Sequence, residues 1–147
     1  MITVTESVSI RRTPEDVFDF LTDGRNRPLW DASVISEELV SPPPFGVGSA
    51  VHTRLRAMGR EVDFVWRVTR FARPDGMEVV SRSGPVPTSS SFRFTEDAGG
   101  CRVTAVITAE PTGFMRLVEP VIAEQVRSTL AAGLARAASL LEGSAPR

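Results

Sequence analysis

Residues 114–142 read FMRLVEPVIAEQVRSTLAAGLARAASLLE, and this stretch decides which kind of fold the chain can adopt. Its apolar residues recur at steps of three or four, the spacing of one face of an α-helix. They are Val118, Ile122, Val126, Leu130, Leu134, Ala137 and Leu141. At 1.5 Å per residue the helix would be roughly 40 Å long, enough to cross a strongly curved sheet from edge to edge. We therefore expect one long helix over 114–142 that covers a sheet, with Pro120 bending or restarting it near its beginning.

The residues before this helix have the pattern of an antiparallel meander. Turn-forming groups recur from Ser49 onward with strand-like runs between them, which predicts five consecutive strands. The groups are Met58-Gly59, Pro74-Asp75-Gly76, Ser83-Gly84-Pro85 and Ala98-Gly99-Gly100. A turn at Met58-Gly59 pairs Leu55 with Val62, Thr53 with Phe64, Val51 with Trp66, Arg54 with Asp63, and Arg56 with Glu61. Because this one register sorts apolar pairs to one face and opposite charges to the other, it indicates a sheet with one buried face.

The hairpin around Gly99-Gly100 leads to the same picture. Its register pairs Phe94 with Val103, Phe92 with Ala105, and Ser90 with Ile107 on one face. We therefore predict a concave inner face on which the long helix packs. The residues of this inner face are Val51, Leu55, Phe64, Trp66, Val68, Phe92, Phe94, Val103 and Ile107.

The N-terminal segment predicts one strand and one or two short helices. Residues 2–11 alternate apolar and polar side chains, the pattern of a half-buried strand. Thr13 then precedes Pro14 and two acidic residues, a capping hydroxyl followed by groups that favour a first helical turn, so a helix over about 14–22 is expected. Residues 26–30 read as a loop or a brief second helix that turns Trp30 inward.

Composition and length exclude several classes of protein. The chain has 147 residues and no Gly/Ser-rich or charged linker, so we expect one domain over 1–147. Hydrophobic residues make up 41% of the chain and charged residues 24%. The formal net charge is only -1, so we expect no nucleic-acid partner. No run approaches eighteen apolar residues and the N-terminus lacks a secretory signal, which predicts no membrane span and a cytoplasmic location. A single cysteine, Cys101, has no nearby sequence partner, so neither a metal nor another cofactor is expected.

The order of these segments resembles the START-like superfamily, also called SRPBCC, and within it the polyketide cyclase/dehydrase-like branch. The features that carry the resemblance are the first strand followed by residues 13–21, Pro28-Leu29-Trp30, residues 44–48 before a strand, and residues 99–104 before the last strand. The resemblance implies an α+β helix-grip fold. In it, a curved antiparallel sheet of six to seven strands wraps around a long C-terminal helix, with one or two short helices after the first strand. It also implies an apolar cavity between sheet and helix; members bind lipids, sterols, quinones, polyketides or plant hormones, and only some catalyse a reaction.

A ligand in such a cavity would meet residues of the inner face and of the helical stripe. The predicted ligand-binding residues are Trp30, Leu55, Phe64, Trp66, Phe92, Phe94, Ser90, Ile122, Gln125, Val126, Thr129 and Gly133. Two interpretations stay open for the aromatic residues, because a small domain usually fills its interior and the same rings can be core or pocket wall. Two are also open for Gly133 and Ala137, which either keep a void open or let the helix approach the sheet closely.

Catalytic residues are not identified by the sequence. The register places His52 on the outer face beside Arg54, there is no tyrosine, and no carboxylate or guanidinium is expected on the inner sheet face. The residues that fall on the outer face include Glu61, Asp63, Arg67 and Arg93. Hydroxyls and an amide, such as those of Ser90, Gln125 and Thr129, suit recognition better than proton transfer.

Three functions follow from these residues and the resemblance. The first is binding of a small hydrophobic ligand, such as a lipid, a quinone or a polyketide-like molecule, without catalysis. The second is a polyketide cyclase or dehydratase, which would require an ionisable group in the cavity, such as His52, Asp31 or an arginine. The third is a module that presents a lipid or quinone to a partner, which would require an exposed apolar patch at the cavity mouth. A homodimer is left open.

Overall fold

A computed structural model of the chain describes residues 1–143 and shows seven strands and three α-helices in this range. Residues 144–147, the end of the expected domain, lie outside the described residues. The elements are β1 (Ile2–Ile10), α1 (Pro14–Thr22), a 3-10 turn (Gly24–Asn26), α2 (Arg27–Trp30), β2 (Val34–Leu39), β3 (Ala50–Ala57), β4 (Arg60–Ala72), β5 (Gly76–Ser83), β6 (Thr88–Asp97), β7 (Gly100–Ala109), a 3-10 helix (Gly113–Val118) and α3 (Glu119–Gly143). The predicted α+β class and the predicted six to seven strands are confirmed.

One antiparallel sheet contains all seven strands in the order β1-β7-β6-β5-β4-β3-β2. The five meander strands are β3 to β7, and both predicted hairpin registers are confirmed: Thr53 lies opposite Phe64, and Phe92 lies opposite Ala105. The charged pairs of the first hairpin lie on the outer face, where Arg54 Nε is 3.2 Å from Asp63 Oδ1. His52 joins them there through a 2.9 Å contact with the same oxygen, as its outward register predicts.

The N-terminal helices form as expected because their capping groups are local. The Thr13 hydroxyl accepts a hydrogen bond from the Asp16 backbone N–H at 3.1 Å, and Pro14 is the first residue of α1. The brief second helix is α2, and it buries Trp30 to 1% exposure. Trp30 therefore turns inward, as the sequence indicates.

The C-terminal helix is shorter than predicted. Residues 114–118 belong to the 3-10 helix, and α3 begins at Glu119, immediately before Pro120. Proline lacks an amide donor, and only the first turn of an α-helix has no use for that donor, so Pro120 fixes where the α-helix can begin. The predicted restart at Pro120 is confirmed, and residues 114–118 before it form a 3-10 helix and not the first turns of the α-helix.

The helix lies along the edge strand β1 and does not cross the sheet from edge to edge. Its first residue, Glu119, accepts a hydrogen bond from the Met1 amine at 3.1 Å, and Glu142 accepts one from the Arg11 backbone N–H at 3.0 Å. The two ends of α3 are thus joined to the two ends of β1. Contact with the other edge is indirect, because α2 packs on both β2 and α3. The curl of the sheet brings its two edges to the same side of the molecule, so one helix pair closes the gap.

Only the C-terminal half of the predicted apolar stripe is buried. Leu130, Leu134, Ala137 and Leu141 belong to the core, together with residues of β1, β6, β7 and α1. Towards the N-terminus the stripe becomes half-buried, and Val118 is 37% exposed. At Gly133 the structure shows close approach, since a Cβ there would lie 3.1 Å from Trp30 Cε3 and 3.1 Å from the Trp30 carbonyl oxygen.

A larger residue at position 133 should therefore destabilise the fold. We expect Gly133→Val to lower the free energy of unfolding by about 2 kcal/mol, because the added methyl groups would push Trp30 and α2 away from α3. Urea denaturation measures the change. The matched control is Ala132→Val, one residue earlier on the exposed side of α3, which carries the same β-branched cost in a helix without the contact. Equal losses for the two variants would contradict the close approach.

Candidate functional site

The concave face of the sheet has a filled end beneath α1 and α2. Phe94 packs edge-to-face on Phe18 with ring centroids 5.3 Å apart, and Phe92 packs on Trp30 at 6.1 Å. All four rings are buried. At this end the aromatic residues are core, so the predicted ligand contacts Trp30, Phe92 and Phe94 form one packed group with Gly133 of α3.

The other end of the concave face is less completely covered. We call the inner groove the group formed by the buried Phe64 and six half-buried residues: Leu55, Trp66, Ser90 and Ile107 of the sheet, and Ile122 and Val126 of α3. Val51 and Thr53, which lie opposite Trp66 and Phe64, are buried. Phe64 and Trp66 stack with centroids 4.7 Å apart and planes inclined by 14°. The loop after β5 covers Phe64 so closely that a Cβ on Gly84 would lie 2.5 Å from the ring.

The inner groove separates two apolar groups of residues. The core that includes α3 takes Ile107, Ile122 and Val126 among its partly buried members. Phe64 is also buried, yet it is not a member of that core, and neither is Trp66. Leu55, Phe64 and Trp66 of β3 and β4 thus lie outside the packed core to which the groove residues of β7 and α3 belong.

Two predicted contacts of the helix lie elsewhere. Gln125 is exposed, and with Thr129 it lines a hollow of about 540 Å³ that is bordered by residues of α3 and by none of the sheet. The other lining residues are Pro120, Val121, Glu124 and Ser128. A second hollow, of about 350 Å³, lies between the start of α1 and the turn that joins β6 to β7. Neither hollow is the predicted cavity between sheet and helix.

A charged group lies on the inner side of β2 and β3, which corrects the expectation of an inner face without carboxylates or guanidinium groups. Glu37 lies opposite Thr53 in the β2–β3 ladder, and the Thr53 hydroxyl donates a hydrogen bond to Glu37 Oε1 at 2.8 Å. Arg27 Nη1 is 3.7 Å from the same oxygen. We call Arg27, Asp31, Glu37 and Thr53 the inner ion cluster. A second carboxylate, Glu6, occupies an inward position of β1, opposite the buried Ala105, and is half-buried.

Arg27 is the centre of this cluster. Its Nε and Nη2 donate hydrogen bonds to Asp31 Oδ2 at 3.1 and 3.0 Å, while Asp31 Oδ1 accepts from the Ser33 backbone N–H and hydroxyl at 3.0 and 2.6 Å. The guanidinium also lies 4.8 Å from the centroid of the Trp30 ring. Burial by itself would lower the pKa of Arg27, but the carboxylates of Glu37 and Asp31 outweigh it and the pKa is raised. Arg27 is therefore a fixed cation between two carboxylates.

Glu37 could not be placed by sequence reasoning. Its strand pairs with β3 through a register shift between Val34 and Ser36, and the connection between the strands is long and rich in proline. Without a tight turn the register cannot be deduced, and a one-residue slip moves every side chain to the other face. The sequence did carry one signal of the cluster. Arg27 and Asp31 are four residues apart, at the start and just past the end of a short helix, which is the spacing of an ion pair on one helix face.

Trp30 carries an unsatisfied donor inside the protein. Its indole Nε1 is buried and has no hydrogen-bond partner among residues 1–143. The ring edge that faces Gly133 is formed by Cε3 and Cζ3, the side of the indole remote from the nitrogen, so the N–H points away from α3. An unpaired buried donor costs about 1–3 kcal/mol, which indicates that shape, not hydrogen bonding, selects tryptophan here.

Metal binding and membrane crossing find no support in the described residues. Within 1–143, no three His, Cys, Asp or Glu side chains are grouped so that they could hold a metal ion. None of the helices in this range is both long and apolar enough to cross a membrane. Cys101 is buried, and burial raises the pKa of its thiol, which disfavours the reactive thiolate.

Comparison with protein families matches this architecture. The family described as polyketide cyclase/dehydrase and lipid transport matches residues 1–142. The chain belongs to this family. No curated protein sequence matches the chain. The resemblance stated from the sequence is therefore confirmed at the level of the family.

Solved structures of other proteins have the same fold. The protein TTHA0849 from Thermus thermophilus has a TM-score of 0.86 at 18% identity, with 98% of this chain and 99% of that chain covered. A START superfamily protein from Mycobacterium smegmatis has a TM-score of 0.73 at 16% identity, with coverage of 97% and 96%. A conserved protein from Geobacillus kaustophilus has a TM-score of 0.77 at 15% identity, with 97% of both chains covered. The START-like helix-grip fold of this family member is thus confirmed.

Removal of the central cation should destabilise this family member. We expect Arg27→Met to lower the free energy of unfolding by about 2 kcal/mol at neutral pH, because Asp31 and Glu37 would stay partly buried without a cation. Urea denaturation at neutral pH measures the loss.

Two further variants make this experiment decisive. Arg25→Met removes an exposed arginine whose partner is Asp23 and should change stability by less than about 1 kcal/mol. Adding Glu37→Gln to Arg27→Met should restore part of the lost stability at neutral pH. If Arg27→Met were as harmless as Arg25→Met, the guanidinium would not neutralise the cluster.

Proposed function

We propose that this protein binds a small, mostly apolar molecule in the inner groove, between the inner face of β3 and β4 and the N-terminal half of α3. One observation carries the proposal: apart from the buried Phe64, the apolar residues of the groove are half-buried, and those of β3 and β4 lie outside the core that includes α3. Membership of a family described by polyketide cyclisation and lipid transport supports it. A ligand would complete the burial that the protein leaves incomplete.

Apolar contact supplies enough free energy for useful affinity. At roughly 25 cal/mol per Å², burial of about 200 Å² of ligand surface would contribute on the order of 5 kcal/mol before the entropy of association is subtracted. The stacked Phe64 and Trp66 offer a flat wall, which suits an aromatic or polyunsaturated ligand. The Ser90 hydroxyl has no recorded hydrogen-bond partner in residues 1–143 and can orient one polar atom of that ligand.

Substitution of Trp66 tests whether the groove residues contact a ligand or only pack in the core. We expect Trp66→Ala to weaken binding at least about tenfold, because it removes the largest side chain of the groove. The matched control is Phe71→Ala, which removes another half-buried aromatic residue of β4, but one that packs on Phe18 and Phe45 at the filled end. Phe71→Ala should lower stability and leave affinity within about threefold of the unchanged protein.

The ligand for this experiment comes from native mass spectrometry of the purified protein, followed by titration calorimetry with the molecule identified or with a panel of lipids, quinones and aromatic polyketides. Equal affinity in Trp66→Ala and the unchanged protein would place the ligand outside the groove. No bound mass and no heat with any member of the panel would refute the proposal.

The inner ion cluster favours a second candidate, a cyclase or dehydratase that acts on a polyketide-like substrate. Glu37 shares the inner face with Thr53, the cross-strand neighbour of Phe64, and only Oε1 has a recorded hydrogen bond within residues 1–143. A carboxylate can remove a proton next to a carbonyl group, and Arg27 beside it can stabilise the negative charge that develops on the carbonyl oxygen. His52, the other ionisable group considered from the sequence, is held on the outer face.

Glu37→Gln separates catalysis from binding. If this protein turns over a polyketide-like substrate, the amide should reduce kcat about 100-fold or more and change KM by less than about threefold, because it keeps the shape but cannot accept the proton. The matched control is Glu38→Gln, the adjacent residue on the outer face beside His52. Product analysis by liquid chromatography measures the turnover. Unchanged turnover in Glu37→Gln would remove Glu37 as the base.

The remaining expectations are not decided by the fold. A cytoplasmic location, a homodimer and the lack of a nucleic-acid partner stay predictions from the sequence. Presentation of a bound lipid or quinone to a partner is a third function, and it depends on the surface beside the groove.

A further inference from the structure

An exposed apolar stripe lies at the end of the groove that α3 leaves open. We call it the apolar rim, and its members with their exposed fractions are Phe114 (78%), Leu117 (84%), Val118 (37%) and Val121 (56%). They follow one another at steps of three, one and three residues, so they form one face of the turn that leads from the 3-10 helix into α3. This face is exposed to solvent, whereas Ile122 and Val126 of the next turns are half-buried and pack against the core.

The segment that carries the rim starts beside the loop that covers the groove residue Phe64. It follows the end of β7, where the Glu110 backbone N–H donates a hydrogen bond to the Pro87 carbonyl oxygen at 3.0 Å. Pro87 ends the loop that contains Gly84 and covers Phe64. The segment that leads into the rim and this loop thus lie at the same end of the sheet, beside Phe64, and a ligand that left the groove at this end would pass between them.

We propose that the apolar rim docks on the surface of a phospholipid bilayer, from which the groove takes up its ligand and to which it returns it. The proposal rests on the proposed function in one respect, the existence of a ligand. An apolar molecule that left the groove into water would expose its whole surface, whereas a rim inserted among acyl chains offers a path between two apolar phases.

The size of the rim favours a bilayer over a second copy of the chain. Its four side chains expose on the order of 400 Å² of apolar surface, similar to the largest patch on an ordinary monomer. A stable protein interface takes about 800 Å² from each partner, roughly twice that area. Reversible insertion needs less, because a single acyl chain already supports a weak association constant of about 10⁴ M⁻¹.

The charges around the rim permit this contact. Glu119 is paired with the Met1 amine at 3.1 Å, and Glu124 is paired with Arg127, so neither presents an uncompensated carboxylate to a membrane. Arg116, between Phe114 and Leu117, is exposed and has no acidic partner recorded in residues 1–143, so it can reach a lipid phosphate. Glu110, beside the rim, has no cation recorded in the same range, and the charge of Arg116 balances it.

Vesicle sedimentation tests the proposal with the full chain. We expect the protein to sediment with phosphatidylcholine vesicles, and somewhat more strongly when phosphatidylserine is included. The double variant Phe114→Ser/Leu117→Ser should bind at least about tenfold more weakly to both, because its two most exposed apolar side chains are gone. Its unfolding midpoint should not fall, since both residues are exposed in the folded protein.

The matched control is Val40→Ser/Val47→Ser, which removes two apolar residues that are 52% and 69% exposed on the connection between β2 and β3. This control should sediment like the unchanged protein. The proposal is wrong if the unchanged protein stays in the supernatant, or if both double variants lose binding equally. It is also wrong if analytical ultracentrifugation shows a dimer that Phe114→Ser/Leu117→Ser converts to a monomer, since the rim would then bind a second copy.

Ligand titration in the absence of vesicles keeps the two proposals apart. The rim variant should retain the affinity of the groove within about threefold, because the rim lies outside the groove-facing turns of α3. Vesicle binding by a protein that binds no ligand would refute the function proposed above and leave the docking surface standing. Ligand binding without vesicle binding would refute the docking surface and leave the proposed function standing.

Discussion

The contact between α3 and Trp30 is the constraint on which the rest of the structure depends. α3 lies along one edge strand of the curled sheet and α2 lies on the other, so the contact between the two helices joins the edges. The contact is tight because Gly133 presents no side chain to the indole ring. Because the two edges are joined, the curled sheet encloses an interior. One face of its seven strands is turned towards this interior, and only the other face is exposed to solvent.

Closure divides the interior into two parts with different roles. The short helices follow β1 directly and cover one end, where Phe18, Trp30, Phe92 and Phe94 pack ring against ring. The opposite end is covered by the N-terminal half of α3, where the stripe narrows to half-buried aliphatic residues, and by a loop after β5. Stability therefore comes chiefly from the filled end, and the open end is left free to contact other molecules.

The inner ion cluster links these two parts. Arg27 comes from the helix that carries Trp30, while Glu37 and Thr53 come from the strands beside the groove. A partly buried carboxylate is costly unless a cation and hydrogen bonds compensate it, and the cluster supplies both. The same arrangement that fixes α2 against the sheet thus holds an ionisable group next to the groove. The same residues, Arg27 and Glu37, can therefore both stabilise the fold and supply ionisable groups to the proposed site.

Most of the fold could be predicted from the sequence because its signals are local. The cap at Thr13 and Pro14 fixed α1, and the short turns at Met58-Gly59 and Gly99-Gly100 fixed two hairpin registers, since a tight turn leaves one pairing that buries all apolar side chains. The candidate site was less predictable. Glu37 could not be placed because the long β2–β3 connection leaves the register of β2 undetermined, and the sequence alone could not show which aromatic residues are core.

The sequence by itself determined β1, α1, the five strands β3 to β7 and their order, the inner and outer faces of the β3–β4 and β6–β7 hairpins, and membership of a fold family. Only the tertiary structure decided that α3 runs along β1, that Gly133 serves close approach to Trp30, and that Arg27, Asp31 and Glu37 meet. It also decided that the stripe at Phe114, Leu117 and Val121 faces solvent. The physical reason is that periodicity reports only which residues share a face of one element. What that face meets depends on the curl of the sheet, which is a property of all seven strands together.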